Sequence, residues 1–271
     1  MDRDPILIHA FSDTMPQFVV VYSERDPAGT NIVQHLQGSG LELFKVQEDI
    51  ICCDNELEGI GAKQIIFASR HRSEKGQPCF TVHPIGNWGK AEKGGKDGMI
   101  CPSMPIEMKQ TLINMDRNPS VQRFKDNGWK VSMEVTHHGP SCGVPCFFAE
   151  IGSSETEWRN EEAGKIVAEA IMQLREQERK DWKVCFGVGG GHYAPKFNPL
   201  ALDATDSGVA FSHILPDYHA GTVEFEAFRR GAEASDRKPG CVLIDWKGLK
   251  KAGRDRIVEF SNKAGIRVER A

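Results

Sequence analysis

Apolar residues along the chain fall into short runs separated by stretches of helical spacing. Residues 6–9 (ILIH), 18–23 (FVVVYS), 41–46 (LELFKV), 64–69 (QIIFAS), 131–136 (VSMEVT), 147–151 (FFAEI), 183–188 (KVCFGV) and 241–246 (CVLIDW) read as strands. Several are apolar at nearly every position, as expected for strands covered on both faces. After Thr156 the spacing changes: Ala163, Ile166, Val167, Ala170, Ile171 and Leu174 recur every three or four residues and predict a helix with one apolar face. Further helices fit 28–36, 106–115, 223–234 and 249–264. Strands alternating with helices predict a three-layer α/β/α sandwich around a mixed, largely parallel sheet. No linker or repeat divides the chain, so one domain over 1–271 is expected. Residues 86–98 (GNWGKAEKGGKDG) and 193–206 break the periodicity and read as long loops, which in compact domains tend to be functional.

Composition narrows the partners. The 271 residues carry a net charge of −4, so a uniformly basic nucleic-acid binder is excluded and any RNA contact must be a local patch. No run approaches the roughly 18 apolar residues of a membrane span, and MDRDPILIHAFSD is too charged for a secretory leader. The expectation is a cytoplasmic protein with no membrane partner. Its eight cysteines are then mostly free thiols. Cys142 and Cys146 have the nearest thing to a metal-ligand spacing among them.

Chemistry gathers where three strand-like runs end. One leads into Arg70-His71-Arg72-Ser73-Glu74, one into His137-His138-Gly139-Pro140, and one into Gly189-Gly190-Gly191-His192-Tyr193. Sites in open α/β sheets form outside the carboxyl ends of strands, so three imidazole-bearing ends would converge if the strands are neighbours. His71 and Glu74 offer an imidazole and a carboxylate that suit zinc; a solvated ion-pair loop fits the same residues. His137 and His138 should point to opposite sides of an extended segment, one into the pocket and one into support. Glu150 sits between Ala149 and Ile151 in an apolar run, where a carboxylate is rarely left unpaired. It would ligate a metal, orient a histidine or pair with an arginine. The glycines 189–191 lack the endings of nucleotide-binding loops, and their amides suit a developing oxyanion or a turn with positive φ. Of the remaining histidines, His83, just before the Gly/Lys loop, is the best placed. Trp88 among Lys90, Lys93 and Lys96 offers a stacking ring with phosphate-binding charges. Lys247, Lys250, Lys251, Arg254 and Arg256 form a second basic stretch that also fits an ordinary exposed helix face.

Read together, SRHRSEKGQPCFTVHPIGNWG, EVTHHGPS, FFAEIGSSETEW and GVGGGHYAPKF resemble the archaeal and plant type of D-aminoacyl-tRNA deacylase, over nearly the whole chain. The resemblance implies hydrolysis of the ester between a D-amino acid and the tRNA 3′ acceptor end. It also implies two zinc ions per subunit, a monomer, and a fold similar to peptidyl-tRNA hydrolase and some zinc exopeptidases. Carried over as metal-site candidates are His71, Glu74, His83 and Glu150. His137, His138, His192 and Tyr193 are carried over as catalytic, with Gly139 and Pro140 as a wall against L side chains. A zinc-activated water would attack the carbonyl, with His137, His138 or Glu74 as base. Without the resemblance, the same residues fit a zinc-dependent hydrolase of small esters or amides, or a non-catalytic RNA-binding protein.

Overall fold

The computed structural model describes residues 18–73 and 75–271; the strand expected at 6–9 and Glu74 lie outside them. Ten strands appear: β1 Phe18–Ser23, β2 Glu42–Val46, β3 Gln64–Arg72, β4 Cys79–His83, β5 Lys130–Met133, β6 Cys146–Ser153, β7 Lys183–Val188, β8 Val209–Leu215, β9 Cys241–Ile244 and β10 Val268–Arg270. The helices are α1 Pro27–Gln34, α2 Asp54–Leu57, α3 Pro105–Asp116, α4 Val121–Asp126, α5 Glu155–Trp158 and α6 Glu161–Met172. They continue with α7 Asn198–Leu202, α8 Asp217–Ala220, α9 Phe225–Glu233 and α10 Lys251–Lys263. Local chemistry explains where the helices begin. Asp26 accepts from the amides of Ala28 and Gly29 ahead of α1, and Asn160 accepts from Ala163 ahead of α6.

The α/β class and its parallel character hold, but the strands form two sheets where one was expected. Six lie in the order β2-β1-β3-β6-β4-β5 and four in the order β10-β9-β7-β8. The second sheet is wholly parallel. In the first, β4 runs antiparallel to β6, so β4 and β5 oppose the other four. The break between the sheets has a local cause. Thr136, just beyond β5, donates its amide to Ile214 O of β8, but the return bond from Ile214 N goes to Thr136 Oγ1. Thr136 O is taken instead by the indole N–H of Trp88 at 3.0 Å. A side chain thus ends the ladder, and residues 134–138 form a seam joining both sheets.

Trp88 corrects the RNA-stacking expectation. Its ring is only 4% exposed and stacks on Phe186 at 5.8 Å, and it fills the space a Cβ at Gly231 would need. A ring buried this way has no face left for a base. Trp88→Phe keeps most of the apolar contact but leaves Thr136 O without its donor. It should therefore lower unfolding stability by about 1–3 kcal/mol while tRNA binding by the folded protein is unchanged. Denaturant titration checks the first, and a selective loss of tRNA affinity would contradict the second.

The loop that follows Trp88 is equally committed. Lys90 pairs with Asp97 at 2.6 Å, Asn87 Nδ2 donates to Gly94 O, and Gly139 N donates to Lys93 O. A Cβ at Gly139 would lie 2.3 Å from Gly95 N and 2.5 Å from Ile51 O. One at Gly94, where φ is +71°, would meet Ile51 O at 1.7 Å. Loop and turn therefore interlock backbone to backbone, which only glycine permits.

Candidate metal centre

Alternation along the strands explains how a polar site lies inside an apolar sheet. On β6, Phe147, Ala149 and Ile151 join the core formed with α1, α3 and α6. Glu150 points to the opposite face, opposite Ser69 of β3 and Thr81 of β4. His71 and His83 fall on that same face, and Glu134, the residue after β5, joins them, its amide bonded to Val82 O and its carboxylate beside His71. The strand ends do not converge at one carboxyl edge as expected, because β5 runs against β3. The residues meet instead across the face of the first sheet. His192 arrives from the loop after β7, pinned by Val135 N donating to its carbonyl at 3.0 Å.

Two three-residue groups have ligand atoms within 4.8 Å of one another: His83, His137 and His138, and His71, Glu134 and His192. His137 and His138 were expected on opposite sides, yet both enter the first group. His138 has φ +42°, and this left-handed residue breaks the alternation of an extended segment. Gly139 and Pro140 are buried, and the Gly139 amide is spent on Lys93 O, so the turn presents no wall to a substrate. Gly189 likewise donates to Leu215 O, which removes it from the expected oxyanion donors.

The hydrogen bonds of the first group orient every ring. His83 Nδ1 lies 3.1 Å from Pro84 O, His137 Nδ1 2.8 Å from Val135 O, and His138 Nδ1 2.7 Å from Gly139 O. A carbonyl only accepts, so each Nδ1 carries the proton and each Nε2 keeps a lone pair, the arrangement metal-ligating histidines show. His83 Nε2 is buried without a hydrogen-bond partner. Burial holds His83 near pKa 4, and burial followed by the His83 charge takes His138 to about 3. His137 is pushed well down by burial and its two imidazole neighbours. All three are therefore neutral and free to ligate near pH 7.

The second group is a carboxylate between two imidazoles. Glu134 is fully buried, with Oε1 3.1 Å from His71 Nδ1 and Oε2 2.6 Å from His192 Nε2. Neither oxygen accepts a well-aligned hydrogen bond. Buried lone pairs that face each other in this way fit a cation better than an ion pair alone. Burial opposes the Glu134 charge, but His71 and His192 hold its pKa well below the carboxylate range. Both imidazoles are raised in turn, because Glu134 outweighs their burial. His71 Nε2 meets Tyr193 Oη at 2.8 Å, which leaves Nδ1 to face the centre.

Glu150 bridges the groups, 3.7 Å from His71 Nδ1 and 3.5 Å from His83 Nε2. Burial and the Glu134 charge push its pKa up, a cost that a nearby cation would reverse. The other candidates lie apart from the centre. Cys142 and Cys146 direct their thiols at backbone carbonyls of Val144 and Pro102. Lys96 lines a separate cavity beside Asp54 and Cys142. Lys93 remains near, and its charge reaches His138 and His192. Glu134 is the residue sequence reasoning missed, although it carried the same signal as Glu150, a carboxylate inside an apolar run.

Among the described residues no helix is long and apolar enough to cross a membrane. The family model for D-aminoacyl-tRNA deacylase matches residues 58–269. A D-aminoacyl-tRNA deacylase of Pyrococcus furiosus is 44% identical over 217 residues, covering 79% of this chain and 76% of that relative. One of Archaeoglobus fulgidus is 33% identical over 276 residues, covering 92% and 95%. A crystal structure of a conserved protein of unknown function superposes with a TM-score of 0.84 at 32% identity, over 96% of each chain. With the extent of these matches and the fold they share, the chain belongs to the D-aminoacyl-tRNA deacylase family.

Proposed function

We propose that the protein hydrolyses the ester linking a D-amino acid to the 3′ end of tRNA, using two zinc ions held at the seam between its sheets. The carrying observation is the pair of three-ligand groups, His83/His137/His138 and His71/Glu134/His192, with Glu150 between them. Zinc bound there supplies a Lewis acid for the ester carbonyl and acidifies water at neutral pH. His137 and His138 each have Nδ1 on a carbonyl and would give Nε2 to the metal, so neither would be free as a base. Glu150 takes that role: its Oε2 accepts the proton of the attacking water and returns it to the ribose oxygen as the acyl C–O bond breaks. The products are the D-amino acid and tRNA with a free hydroxyl. Tyr193 accepts from His71 and fixes the ring. It also lines a cavity of about 440 Å³ with Trp129, Val131 and Leu202, which is of a size to take a substrate side chain.

All six candidate ligands come from one chain, which supports the monomer as the working unit. A zinc exopeptidase-like reaction on free peptides is the competing reading. Deacylation of D- and L-tyrosyl-tRNA, with and without a chelator, decides between them. The D-ester should be cleaved, the L-ester spared, and the activity lost with the metal. Equal rates on the two esters would reject the assignment.

A further inference from the structure

Tyr218 is 56% exposed, the largest exposure of any bulky hydrophobic side chain among the described residues, with Met99 next at 37%. It stands on α8, directly after the carboxyl end of β8. Asp217 N donates to Gly190 O at 3.0 Å, which ties this short helix to the glycine loop two residues before His192. The His192 side chain is 38% exposed, against 21% or less for His71, Glu134, His83 and His137. The bond from Asp217 therefore places α8 beside the loop that carries His192. Partial burial, then Asp217 and Glu134, raise the Tyr218 phenol pKa.

Positive charge lies behind the ring. The start of α10 packs on α8: a Cβ at Gly253 would touch Ala220 at 3.4 Å. Lys247, Lys250 and Lys251 are exposed there and make no ion pair among the described residues. Arg254 and Arg256 are already used, on Trp246 O and Val223 O respectively. An exposed ring and three uncommitted cations on packed elements, next to the loop of His192, match a single-stranded RNA end, where bases stack on aromatic faces and phosphates meet lysines.

We propose that Tyr218 is the stacking platform for the terminal unpaired base of the tRNA, with Lys247, Lys250 and Lys251 contacting the phosphates behind it. This inference rests on the reaction proposed above for its substrate. It is tested by equilibrium binding of two uncharged tRNAs, one with its intact 3′ terminal adenosine and one lacking that nucleotide. Y218A should bind the intact tRNA about five- to a hundredfold more weakly than wild type and the shortened tRNA equally well, and Y218F should restore binding. K247A/K250A/K251A should weaken both and reduce the slope of log K against log salt by about 0.7 per lost contact. Wild-type protein that binds both tRNAs alike, or Y218A that binds as wild type does, overturns the platform. Binding is read without turnover, so a wild-type protein inactive on D-tyrosyl-tRNA overturns the reaction and leaves the binding result to judge Tyr218.

Discussion

Glu134→Gln should lose the metal proposed to lie with His71 and His192 and reduce turnover about a thousandfold, and the chelated protein should lose stability as well. The reasoning starts from charge. Glu134 supplies the negative charge of its group and is fully buried. Glutamine keeps the shape but turns one acceptor into a donor aimed at the cation's place. Losing a Lewis acid removes several kcal/mol of transition-state stabilisation, and each 1.36 kcal/mol is tenfold in rate. In the metal-free protein His71 and His192 hold the carboxylate ionised despite its burial, so removing it costs about 3–5 kcal/mol. Zinc content reads the loss of the ligand, and unfolding with chelator reads the loss of the ion pair. Full metal content with normal turnover would remove Glu134 from the centre.

His138→Ala and His192→Ala should each lower bound zinc by about one ion per chain, and each should cost at least about a hundredfold in turnover. The ions would come from different groups, because His138 lies with His83 and His137 whereas His192 lies with His71 and Glu134. The double variant should be little slower than the worse single one, since groups acting as a unit give non-additive losses. Two variants that both keep two ions and near-normal rates would place the chemistry elsewhere.

Five of the six residues in the two candidate groups were legible as site residues, His71 and His83 for a metal and His137, His138 and His192 for catalysis, because imidazoles next to strand-like runs are chemically conspicuous. Glu134 was passed over although VSMEVT carries the same signal as FFAEI, and it is the pairing of β5 with β4, Val82 beside Met133, that brings it next to His83. The strands β4 and β8 escaped notice for a related reason. Thr81, His83, Ser212 and His213 interrupt their apolar runs yet are buried, and His213 is satisfied by Thr136 and Ala234. Polar residues paid for by distant partners look like loop residues in sequence. Trp88 misled in the opposite sense: its flanking glycines and lysines suggest exposure, while Thr136 and Phe186, which bury it, come 48 and 98 positions later. The two-sheet division had no sequence signal, since it depends on a tryptophan side chain occupying one carbonyl.

The glycine interlock between the 86–98 loop and the His-His turn bears on the direction of approach. Backbone atoms that exclude even a methyl group between Gly94, Gly95 and Gly139 leave no gap on that flank, and the loop cannot swing away without dragging His138 with it. The deep side is closed by the sheet that carries Glu150. His192, whose side chain is 38% exposed and which follows β7 of the second sheet, is then the ligand nearest to solvent, so a substrate would reach the centre from that side.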